Sequence, residues 1–117
     1  MRDRTPLFVS GDLHGIGETV IGRSGAHDFS RHPVVSVLCG PVGTGKPGFP
    51  SFIRGMVPQV PAGLEVQEAL QPIEENGFTI ADVTAEDITL RYFKRRRAPE
   101  AAIDELEPFR TTVLSRQ

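Results

Sequence analysis

Hydrophobic positions in this chain fall in short bursts separated by glycine, proline and charge, which is the pattern of strands. Val34, Val35, Val37, Leu38 and Cys39, bounded by Pro33 and Gly40, form the clearest buried strand. Residues 6–10 read as a second short strand, and residues 18–21 as a third, close behind a glycine-rich loop. Residues 77–83 and 88–93 both alternate apolar and polar side chains, with a polar turn at 84–87 between them. That arrangement predicts an antiparallel hairpin. Residues 64–70 suggest one or two helical turns. Residues 99–106 predict a short helix, with Pro99 at its start and Pro108 just past its end. The last residues are expected to fray.

Composition sharpens this picture. The 117 residues suffice for one small domain. Twelve glycines and ten prolines argue against a helical bundle, and a hydrophobic content of 38% is lean for a free-standing core. Residues 40–61 form a loop too long and too rich in glycine and proline to be an ordinary connector. A formal charge of −2 gives no global pull toward nucleic acid. Cys39 is the single cysteine, which excludes an internal disulfide and a cysteine-based zinc cluster. The sequence carries no apolar stretch long enough to span a membrane as a helix, and no membrane partner is expected. Residues 1–4 carry no signal-peptide pattern, so localisation stays open.

The densest chemistry lies at 8–15, where an apolar run stops at Gly11 and presents Asp12 and His14 two positions apart. In extended backbone such positions face one side, so both side chains can converge beyond a strand end. A carboxylate with an imidazole suits a hard or borderline metal such as Fe, Mn or Zn. Gly11 and Gly15 are read as permitting sharp turns on either side. The plain alternative is a strand ending in an Asx-type turn. His27 and His32 flank a polar segment and read as surface residues.

A second glycine-rich segment is a decoy. Gly40, Gly43, Gly45 and Lys46 match most of a phosphate-binding P-loop, but its hydroxyl position holds Pro47. Pro50 then breaks the helix whose N-terminus would cradle the phosphates.

The Gly11-Asp12-Leu13-His14 motif resembles the late metal-binding motif of calcineurin-like metallophosphoesterases of the alkaline-phosphatase-D-like (PhoD-like) kind. The strand at 34–39, the loop at 40–50 and the hairpin at 75–93 are similar to the end of that family's domain, so the resemblance covers about residues 5–95. It implies an α+β, strand-dominated fold: the C-terminal half of a metallophosphoesterase-type αββα sandwich, ending in an antiparallel hairpin. The whole of 1–117 then reads as one partial domain, with 99–117 a short helix and tail.

By the same resemblance, Asp12 and His14 are metal ligands, and the cofactors are divalent or trivalent ions (Fe, Mn, Ca or Zn), binuclear once the domain is completed. Two metals clamping a phosphate ester activate a bridging water for in-line attack. Lys46 and Arg54 are the candidates to face phosphate charge. The remaining aspartates, Asp3, Asp28, Asp82, Asp87 and Asp104, match none of the family's upstream motifs, and Asn76 is the only asparagine. The resemblance therefore implies a chain inactive alone, whose partner is the missing N-terminal half or another copy of itself. Members of the family are often exported.

Two other classes compete. A non-catalytic β-rich module could bind a protein through an exposed sheet, with no need for metal. Lys94, Arg95, Arg96 and Arg97 beside Tyr92 and Phe93 could hold and stack nucleic acid. A solvated run opposite the acidic segment at 100–107 is the commoner arrangement, and it argues against a nucleic-acid partner.

Overall fold

The computed structural model describes residues 4–43, 60–94 and 106–116, and among these every regular element is a strand. In chain order they are β1 (Leu7–Ser10), β2 (Ile16–Ser24), β3 (His27–Asp28), β4 (Val34–Cys39), β5 (Leu64–Ile73), β6 (Gly77–Val83), β7 (Asp87–Lys94) and β8 (Arg110–Ser115). The expected strands at 6–10, 18–21 and 34–39 are β1, β2 and β4, and the expected hairpin is β6–β7. The fold is strand-dominated.

Two sheets result. In the five-stranded sheet β1 runs parallel to β4, and β4 and β5 flank β2 in antiparallel fashion. Strand β3 pairs only with Arg23 and Ser24, past the end of β4 on the same edge of β2. The second sheet is the antiparallel meander β6–β7–β8.

The two sheets pack face to face, because one face of each is apolar at alternate positions. Ile16, Val35 and Val37 from the larger sheet meet Ile88, Leu90 and Tyr92 from β7 in one buried cluster, edged by Leu7, Val20, Cys39, Leu70, Ile73 and Leu114. Polar contacts pin the sheets at two further points. The Thr5 hydroxyl donates to the Ser115 carbonyl at 2.8 Å, and the Thr79 hydroxyl donates to the Cys39 carbonyl at 3.3 Å.

Two expectations need correction. Residues 64–70 are not helical turns but the start of strand β5. Pairing with β2 along its whole length satisfies the backbone that a short isolated helix would leave marginal. Residues 110–115 are not a fraying tail but β8, held in register against β7 from Asp87–Ser115 to Tyr92–Arg110. The predicted helix at 99–106 falls almost wholly outside the described residues.

The sheets approach most closely at Gly40 and Gly77. Gly40 has φ of 87°, in the left-handed region, and a Cβ there would lie 2.8 Å from the Ile16 side chain. A Cβ on Gly77 would meet the Phe93 carbonyl oxygen at 2.1 Å and Ile16 Cδ1 at 2.6 Å. The carbonyl is part of the β7 backbone and cannot simply swing aside. Gly77→Ala is therefore expected to lower the unfolding free energy by about 1–3 kcal/mol in urea titrations. Gly22→Ala meets no atom within 4 Å and should leave stability unchanged or slightly raised. Equal losses at both positions would contradict the steric account.

Candidate functional site

The Asp12–His14 segment lies between the end of β1 and the start of β2. Because β1 and β4 are parallel, with Ser10 beside Leu38, the loop at 11–15 and the loop that begins at Gly40 leave the same end of the sheet. Ile16 pairs with Ile73, so the connection at 74–76 arrives at that end too. In open α/β sheets ligand crevices form at the carboxyl ends of the strands; here a single parallel pair in a mixed sheet sends two loops from such an end.

Locally the loop differs from the extended arrangement expected of it. Residues 12–15 bend, and the Gly15 N–H donates to the Leu13 carbonyl at 2.7 Å, closing a three-residue turn about His14. Neither Gly11 nor Gly15 has positive φ, so the turn does not draw on the left-handed freedom of glycine. Strand alternation consequently does not set the directions of the two side chains. Asp12 is exposed and His14 is half-buried.

The donor types suit a metal, but their number is short. Among the described residues no three His, Cys, Asp or Glu side chains converge on one point. A carboxylate and an imidazole leave most of a coordination shell to water and bind weakly. Lys46 and Arg54 lie outside the described residues.

A polar cluster that the sequence did not single out lies between the sheets. Glu18 is buried on the core face of β2, between Ile16 and Val20. The Tyr92 hydroxyl donates to Glu18 Oε2 at 2.5 Å, and Arg110 Nη2 lies 3.5 Å from Glu18 Oε1. Strands β2, β7 and β8 thus each supply one member. The signal was present as a lone charge inside an alternating apolar face, Ile16, Glu18, Val20.

The cluster's chemistry is structural. Burial, then the hydrogen bond to Glu18, pushes the Tyr92 phenol far above its ordinary range, so it remains a proton donor. Burial also pushes the Cys39 thiol up, away from nucleophilic behaviour. Tyr92 and Phe93 are both buried, Phe93 against Phe78 with ring centroids 4.7 Å apart. Neither aromatic face is open for stacking a base. Lys94 sits 4.8 Å above the Phe109 ring, and residues 95–97 lie outside the described region.

No family model, curated protein or solved structure matches this chain. No helix among the described residues is long and apolar enough to cross a membrane.

The buried phenol makes a clean pH test, because Tyr92 is the only tyrosine and the chain has no tryptophan. In the unfolded chain the phenol ionises near about pH 10, whereas the folded chain retains the proton. Its contribution to stability is therefore complete below about pH 10 and is lost as pH rises beyond it. Tyrosinate absorbance should appear together with unfolding, not before it. Ionisation near pH 10 in a folded chain would contradict the burial. Tyr92→Phe should cost about 1–3 kcal/mol by leaving the Glu18 carboxylate short of a donor.

Proposed function

We propose that this chain is the C-terminal part of a PhoD-like metallophosphoesterase domain, in which Asp12 and His14 ligate a divalent or trivalent metal ion. One observation carries the reading: the Gly-Asp-x-His segment leaves the carboxyl end of β1, beside the glycine-rich loop that leaves the carboxyl end of the parallel strand β4. Two apolar sheets packed face to face are compatible with half of an αββα sandwich. Lys46 and Arg54, further along the loop that starts at Gly40, are assigned to phosphate charge on the resemblance alone.

The two donors do not complete a metal site. The remaining ligands come from another polypeptide or from residues beyond those described, and the isolated chain does not hydrolyse phosphate esters. A second reading, a non-catalytic protein-interaction module, is favoured by exposed apolar side chains on β1, Phe8 and Val9. Metal affinity separates the two, since an interaction module needs none.

Titration calorimetry with Mn²⁺ and Zn²⁺ should give weak, saturable binding that disappears in Asp12→Ala/His14→Ala. Equal binding by the double variant would refute the ligand assignment. The metal-loaded chain should show no turnover of a nitrophenyl phosphodiester, and many turnovers would contradict the incomplete site.

A further inference from the structure

Strand β8 is lightly anchored for a wall of the core. It pairs only with β7, and its burial alternates, with Arg110, Thr112 and Leu114 turned inward. Of these three, only Leu114 packs against the apolar cluster.

Its polar inward positions are incompletely served. Arg110 reaches Glu18 through Nη2 at 3.5 Å, but Arg110 Nε and Thr112 Oγ1 are buried with no hydrogen-bond partner among the described residues. Such groups lose water when the strand closes and gain no partner in return. The other edge of the same sheet differs. There Thr79 of β6 gives its inward hydroxyl to the Cys39 carbonyl, and Phe78 stacks on Phe93. If β8 leaves, Arg110 and Thr112 regain water while Glu18 keeps the Tyr92 hydroxyl. The ties at the far end of β8, from the Thr5 hydroxyl to the Ser115 carbonyl and from the Arg116 guanidinium to the Thr84 carbonyl, are exposed and contribute modestly.

We propose that β8 is a latch that detaches from β7 as a unit while the rest of the sandwich stays folded, freeing the β7 edge to receive another strand. Backbone phase defines which groups open. The Arg116 N–H donates to the Glu86 carbonyl, so alternation gives the hydrogen-bonded pairs Ile88–Leu114 and Leu90–Thr112. On the other side of β7, the Thr84 N–H donates to the Asp87 carbonyl, so the amides of Thr89 and Arg91 face β6. Detachment of β8 therefore exposes the amides of Ile88 and Leu90 and leaves those of Thr89 and Arg91 protected. The inference does not rest on metal binding.

Native-state hydrogen exchange of the isotopically labelled chain, followed across low urea concentrations, tests it. The amides of Ile88, Leu90, Thr112 and Leu114 should exchange together, about ten-fold or more faster than those of Thr89 and Arg91, and with a smaller urea dependence. Thr112→Val removes an unpartnered hydroxyl at nearly constant size and should slow the first set several-fold. Thr89 and Val113 form a non-hydrogen-bonded pair, close enough for a disulfide. In a Cys39→Ser background, the Thr89→Cys/Val113→Cys cross-link should bring the first set down to the rate of its β6-facing neighbours. Equal exchange of the two sets in the wild-type chain, faster exchange in Thr112→Val, or rates unmoved by the cross-link would overturn the proposal.

Discussion

The Tyr92–Glu18 hydrogen bond is the constraint around which the two sheets are arranged. Apolar faces attract one another without direction, so Val35, Val37, Ile88 and Leu90 alone would tolerate sliding. A carboxylate buried between the sheets does not, because it requires a donor at a fixed place. Tyr92 from β7 and Arg110 from β8 meet that requirement in one relative position. Whether such a group adds net stability is secondary. Removing a partner from it is costly, and that cost penalises other registers.

That arrangement fixes the strand ends where the candidate chemistry lies. With β2 held against β7, the start of β2 brings Ile16 against Gly40 and Gly77, the closest approach of the two sheets. The Gly77 N–H donates to the Pro41 carbonyl at 2.9 Å, which ties the first turn of the glycine-rich loop to β6. The loop at 11–15 leaves the same end through the parallel pair β1–β4. Asp12 and His14 thus stand at an end of the sheet organised by the core.

Legibility in the sequence followed the inward-facing residues. Strand β4 was plain because its core face is valine and its ends are Pro33 and Gly40. The β6–β7 hairpin was plain because β7 alternates from Asp87 to Tyr92, with Phe93 the one break. Strand β8 escaped notice because its inward positions, Arg110, Thr112 and Leu114, are mostly polar: one serves Glu18 and only the last packs against the core. Strand β5 escaped because register shifts break its period of two, so Leu70 and Ile73 both reach the core at a spacing of three. The Asp12/His14 pair was visible as a motif, but its bent backbone was not, since a hydrogen bond closes that turn without a glycine in positive φ.

The most direct measurement is a paramagnetic map of the isotopically labelled chain, titrated with Mn²⁺ and followed by amide resonance broadening. The account predicts broadening centred on Asp12 and His14 and spreading to Gly40 and Gly43, which leave the same end of the sheet. Broadening centred on the exposed carboxylates of Asp28 and Glu65, or spread evenly over the acidic surface, would contradict it.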